Sequence, residues 1–349
     1  MAGIGFELRR LLRQDSYFSL IRAYGYAGLI SSGPWVLSIL AVMALGVLSA
    51  AASPGNSTHV TAFLVSVTWL VAGSLLLTSL VQLLFTRYVA DRLFEKRDSA
   101  ILPNLFGLLT LIVLAASSIG GALLWFTFAD TPWLYQLEML MSFVVLSMIW
   151  CVTVFVAGTK AYRQVLLAFA CGYGTTFAAG LLLKDYGLVG LLGGFVIGQS
   201  LLLFTLLTMV IRHYPSNRLW AFDLHRAGQC QHSLIAIGLF YQLGIWADKL
   251  VFWFNPATSE SIIGPLRASP IYDLPIFLAY LSIVPGMAVF IMRMETNFAE
   301  SCHAYYEAVR GGDTLLHIEE LRGEMVTSVR HGIYDIFKVF NCVVNKCNY

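Results

Sequence analysis

Asp248 and Lys249 stand side by side in a chain that otherwise keeps charge away from its apolar runs. They close the segment Tyr241-Gln242-Leu243-Gly244-Ile245-Trp246-Ala247-Asp248-Lys249. At about 100° per residue, Tyr241, Gln242, Gly244, Asp248, Lys249 and Asn255 fall on one side of a helix. Leu243, Trp246, Ala247, Leu250, Trp253 and Phe254 fall on the other. A charge in hydrocarbon costs about 2.5–3.5 kcal/mol on insertion scales, so such residues usually face a polar interior. The chemistry within reach is binding and passage: Tyr241, Gln242, Asp248, Lys249 and Asn255 are candidates to line a water-accessible substrate path. The competing reading is that the two charges lie near the outer end of the helix and snorkel to the interface. Spacing alone leaves both open.

Other constellations point away from covalent chemistry. There is no GxxxxGK[ST] phosphate loop, so the chain carries no ATPase of that kind. Neither GxSxG nor HExxH occurs. The histidines (His59, His213, His225, His232, His303, His317 and His331) are scattered. The cysteines (Cys151, Cys171, Cys230, Cys302, Cys342 and Cys347) include no CxxC pair. These observations predict no catalytic residue, no metal site, no cofactor and no disulfide framework: not an enzyme.

The elements that must hold the candidate residues are membrane helices. Of 349 residues, 58% are hydrophobic and 12% charged, against roughly 25% charged in a soluble domain. A bilayer core of about 30 Å needs roughly 20 apolar residues per helix. Residues 23–86 contain no Asp, Glu, Lys or Arg, and the Ser53–Thr58 stretch with Pro54 and Gly55 breaks them into two helices. Helices are expected near 28–50, 61–84, 102–127, 139–159, 165–183, 188–211, 232–254 and 273–293. The runs are continuous rather than alternating, which excludes barrel strands. The fold class is therefore an all-α polytopic membrane protein with about eight transmembrane helices.

Charge gives these helices a direction. Arg9, Arg10, Arg13 and Arg22 precede the first. Arg87, Arg92, Lys96 and Arg97 lie between the second and third, Lys160 and Arg163 between the fourth and fifth, and Arg212, Arg218 and Arg226 between the sixth and seventh. Arg293, Arg310, Arg322, Arg330, Lys338 and Lys346 follow the eighth. The opposite side has Lys184 and Arg267, so the split is 19 to 2 and places the N-terminus and the C-terminal tail in the cytoplasm. The basic residues form no single face, which speaks against nucleic acid. The first apolar run is too long for a signal h-region and reads as a retained helix. Residues 1–24, with Phe6-Glu7-Leu8-Arg9-Arg10-Leu11-Leu12, read as an amphipathic segment on the inner surface.

Three further patterns concern packing and motion. Gly190, Gly194 and Gly198 recur every four residues, a register that lets two helix backbones approach closely. Gly33-Pro34 and Pro285-Gly286 each bend a helix, as a hinge or as a fixed kink. Residues 295–335 alternate polar and apolar groups with helical period around Gly311-Gly312 and read as a cytoplasmic helical hairpin, either a docking surface or a connector.

The opening Met1-Ala2-Gly3-Ile4-Gly5-Phe6-Glu7-Leu8-Arg9 resembles the start of the inner-membrane Pel exopolysaccharide transporter family (PelG-like). So do Ile30-Ser31-Ser32-Gly33-Pro34-Trp35, Gly244-Ile245-Trp246-Ala247-Asp248-Lys249 and Ser269-Pro270-Ile271-Tyr272-Asp273-Leu274-Pro275. The resemblance covers about residues 1–335. It implies a flippase-like transporter of the multidrug/oligosaccharidyl-lipid/polysaccharide exporter superfamily. That superfamily has two six-helix lobes and works by alternating access, driven by ion gradients or a coupled synthase. The implied partners are the polysaccharide itself, a cytoplasmic glycosyltransferase and membrane scaffold proteins, including one that senses cyclic di-GMP. The implied place is the bacterial inner membrane, in a biofilm export system.

Under that frame, residues 25–212 are the first six-helix lobe, 213–231 a cytoplasmic linker and 232–294 two helices of a partial second lobe. Residues 336–349 form an Asn- and Cys-rich tail too short and polar to complete that lobe, which suggests C-terminal truncation and an inability of this chain alone to restore secretion. Two alternatives remain: an ion-coupled exporter of small cations on the same fold, and a non-transporting membrane anchor of a synthase complex.

Overall fold

The structure is a computed structural model describing residue 25 and residues 37–48, 57–159, 161–223 and 232–347. Almost all of the described chain is helix. The helices are α1 (Leu37–Leu48), α2 (Ser57–Phe94), α3 (Ile101–Thr127), α4 (Trp133–Gly158), α5 (Tyr162–Leu183), α6 (Gly187–His213) and α7 (His232–Phe254). A two-stranded antiparallel hairpin follows, β1 (Glu260–Ile263) and β2 (Leu266–Ala268). Then come α8 (Pro270–Arg293), a π-helical turn Met294–Phe298, α9 (Ala299–Gly311) and α10 (Leu315–Cys347).

Six helical stretches among the described residues are long and apolar enough to cross a membrane. One of them, Arg163–His213, contains both α5 and α6. A 3₁₀ turn at Lys184–Tyr186 and Gly187, at φ 67°, fold it back on itself, so it supplies two antiparallel helices. Such a positive φ is cheap only for glycine. Of the first expected helix, Leu37–Leu48 is described. The chain is thus a polytopic all-α membrane protein, as its windows predicted.

Helix ends differ from the sequence expectation where charge, not apolarity, marks them. The second helix runs to Phe94 rather than 84, because Arg87 and Asp91 pair at i, i+4 and carry it past the apolar run. The fourth begins at Trp133 rather than 139, with Pro132 at its N-cap position.

The chain divides into two compact units. In Leu37–Asp273, side chains of α2 to α6 interleave in two clusters. One gathers Phe85, Leu105, Ile112, Phe155 and Leu206; the other gathers Phe63, Leu70, Tyr135, Leu146 and Phe195. The α5–α6 pair is the tightest contact. Gly194 faces the backbone of Gly180, Gly198 faces Thr176, and Gly190 faces the carbonyl of Leu183, each so close that a Cβ would collide. Gly180 in turn receives Leu45 of α1.

Connections gather at two ends of this unit. At one, His59 lies against Gly187, and Phe128 against Gly264 of the β1–β2 turn. Trp125, Phe126, Trp133 and Tyr186 are exposed at that end, where interfacial aromatics belong. At the other end, Asn104 on α3 clasps the segment after α6. Its amide donates to Tyr88 (2.8 Å) and Asp223 (3.0 Å), and its carbonyl oxygen accepts from the Asp223 N–H (2.9 Å).

In the unit from Leu274 onward, α8 and α10 run antiparallel. The Phe340 ring fills the gap at Gly286, and Arg293 pairs with Asp335. The turn after α9 rests on Gly312 at φ 68°. α10 continues without a break through 335 to Cys347.

Candidate functional site

The site is built on α7 and the start of α8. α7 lies antiparallel to α2, with Gly238 against the Ser79 carbonyl and the Trp253 ring tilted 30° against Trp69, centroids 4.7 Å apart. Its buried stripe is Gln242, Trp246, Lys249 and Trp253, spaced i, i+4, i+7 and i+11. Those positions fall within a narrow arc facing α2. The helix is therefore two-faced, but the dividing line differs from the one its polarity suggests. Lys249 joins the tryptophans instead of opposing them, because its ammonium sits 5.0 Å over the Trp246 ring.

Asp248 lies about 100° round the helix and is partly exposed. It is held at both oxygens. Oδ1 accepts from the Lys249 backbone N–H at 2.8 Å and lies 3.6 Å from the Lys249 ammonium. Oδ2 accepts from the Tyr272 hydroxyl at 2.5 Å. The Tyr272 ring is stacked on Phe252, with centroids 4.0 Å apart and planes 8° from parallel. So Asp248 is an oriented carboxylate in a pair, six residues inside the end of α7, or about 9 Å along its axis.

The hairpin between α7 and α8 fixes this geometry. Asp273 accepts from the Ser269 N–H at 2.8 Å, as an acid in the first turn of α8 should, and from the Trp253 indole N–H at 3.0 Å. The Trp69 indole N–H donates to the Arg267 carbonyl at 2.9 Å. The Arg267 guanidinium donates to Ser259 Oγ at 2.8 Å and to the Ser259 carbonyl at 3.1 Å.

Of the path candidates, the structure brings Asp248 and Lys249 together. Tyr241 is exposed two turns away on the Asp248 side of α7, and Gln242 is buried on the stripe facing α2. Asn255 is exposed, but its side chain accepts from the Ala257 N–H and caps its own turn. Pro285 lies inside α8, and Gly286 beside it is buried against Phe340. Gly33 and Pro34 lie outside the described residues. Sequence reasoning missed Tyr272 and Asp273 as site residues. The signal was present: a tyrosine and an acid just after a proline that opens an apolar helix.

A family model described as "PelG: Putative exopolysaccharide Exporter (EPS-E)" matches residues 1–347. The chain belongs to the PelG family. No curated protein matches it, and no solved structure does. The PelG match reaches into the tail after residue 335. Membership in PelG makes this a family of exporters, with a polysaccharide as the cargo and a membrane as the place of work.

Proposed function

We propose that this chain is the transport subunit that moves a Pel-type exopolysaccharide across the bacterial inner membrane by a flippase-like alternating-access mechanism. The observation that carries it is the exporter-family match along residues 1–347. The local geometry supports it: a bonded Asp248–Lys249–Tyr272 group that joins α7 to the first turn of α8 is a polar surface for sugar hydroxyls beside apolar helices. Tyr241 and Asn255 extend the same path along the Asp248 side of α7, Gln242 backs it from the face toward α2, and Gly33-Pro34 and Pro285-Gly286 act as its hinges. The chain performs no chemistry on the polymer. A glycosyltransferase and scaffold proteins of the same system hand it over on the cytoplasmic side, where the basic loops face.

The test is Asp248→Ala in cells that depend on this exporter. Polymer secretion should fall at least tenfold while co-purification of the export complex stays intact. Undiminished secretion removes Asp248 from the path. Loss of secretion together with loss of assembly favours the anchor reading. Unchanged secretion but new drug sensitivity in a deletion strain favours a small-cation exporter.

A further inference from the structure

Glu138 is the acid the path does not use. It lies in α4 within Trp133–Val156, a stretch long and apolar enough to cross a membrane. It sits five residues beyond the exposed Trp133, about 8 Å along the helix. The side chain is partly buried, and Oε2 is fully enclosed with no hydrogen-bond partner. The neighbouring polar groups are engaged elsewhere. The Tyr135 hydroxyl is bonded to Ser66 at 2.9 Å, and the Gln136 amide donates to the Phe128 and Thr131 carbonyls. Opposite Glu138 stands Gly193 of α6, where a Cβ would lie 3.1 Å from Oε1. A side chain at that position would crowd this carboxyl by a few tenths of an ångström.

An acid in a membrane helix is expected to be paired. The charged and titratable groups at the same ends of the elements around α4 are His59 on α2, Asp130 before α4, Lys184, Asp185 and Tyr186 between α5 and α6, and Glu260 and Arg267 on the β1–β2 hairpin. Among the described residues none of them bonds or pairs with Glu138. A metal cation would need several further oxygen ligands. No group of three His, Cys, Asp or Glu that could hold a metal occurs among the described residues. A proton needs one oxygen.

We propose that Glu138 is a proton-binding site whose loading is tied to the contact of α4 with α6 at Gly193. The enclosed oxygen takes a proton from water and becomes a neutral hydroxyl. On release the proton returns to water and no electron moves. This does not rest on the α7 path, since proton binding is a property of the purified chain whether or not it carries polymer.

The full chain in lipid nanodiscs tests it. Infrared difference spectra between acid and alkaline pH should contain a carboxyl C=O band that Glu138→Gln removes. Dicyclohexylcarbodiimide, an apolar reagent for protonated carboxyls, should modify Glu138, read by mass spectrometry. The rate should fall about tenfold per pH unit on the alkaline limb. Gly193→Ala, which crowds Oε1 but keeps the acid, should retain the band and move its midpoint. A band that persists in Glu138→Gln overturns the proposal. So does a Glu138 that stays unmodified at every pH, or is modified at a pH-independent rate.

Discussion

The Tyr272 hydroxyl and the Asp248 carboxylate separate structural from functional cost. Hydrogen bonds between membrane helices average only about 0.6 kcal/mol, because the unfolded state in lipid also finds partners. Tyr272→Phe keeps the ring stacked on Phe252 and removes one donor. Its thermal melt should stay close to the parent, while secretion drops severalfold if the carboxylate's orientation matters. Equal secretion at equal expression counts against a working Asp248–Tyr272 pair. Trp253 is the opposite case. It is buried among Trp69 and Trp246 and bonded to Asp273. Trp253→Ala should cost about 3–5 kcal/mol, read as lost folded protein in size-exclusion profiles.

At the level of elements, α5 and α6 are joined by small residues on both helices: Gly198 meets Gly172 and Thr176, Gly194 meets Gly180, and Gly190 meets the Leu183 carbonyl. Without a hydrophobic drive between helices in lipid, such close packing supplies the attraction. Gly194→Val places branched carbons against the backbone of Gly180 and should destabilise by about 1–3 kcal/mol or more. Gly174 has open space around its Cβ position, so Gly174→Ala should be neutral or gain up to about 1 kcal/mol. A paired thermal-melt series decides it, and equal losses at both positions would show that the glycine stripe is not what holds the hairpin. The Asn104 clasp is a second element-scale device. Asp223→Ala removes the carboxylate that accepts from the Asn104 amide, leaves the backbone N–H bond to Asn104 Oδ1, and should raise tryptic cleavage at Arg218, with the other sites unchanged.

Across the whole molecule, the two ends of the first unit differ in charge. The end with His59, Phe128 and the β1–β2 turn carries Lys184 and Arg267; the end with the Asn104 clasp carries Arg92, Lys96, Arg97, Arg212 and Arg218. The proposed orientation puts the second end in the cytoplasm. In a cysteine-free background, cysteines at Lys184 and Arg267 should react with an impermeant thiol reagent in intact cells. Those at Arg97 and Arg218 should react only after lysis. The reverse pattern overturns the orientation.

How much was legible follows from which physics is local. Burial of some 20 apolar residues needs no partner, so the sequence by itself determined the place of the long apolar helices and the class of molecule. Four-residue glycine spacing announced a close approach for the same reason, while the helix that answers it could not be read. Ends marked by ion pairs, as at Arg87–Asp91, slipped because a charged helix in water looks like a loop to hydropathy. On α7, polarity grouped Lys249 with Asp248. Only the tertiary structure decided that Lys249 lies with Trp246 toward α2 and that Tyr272, 24 positions beyond Asp248, supplies the donor. A side chain's partner is fixed by which helix packs beside it, and that choice is made by the whole bundle.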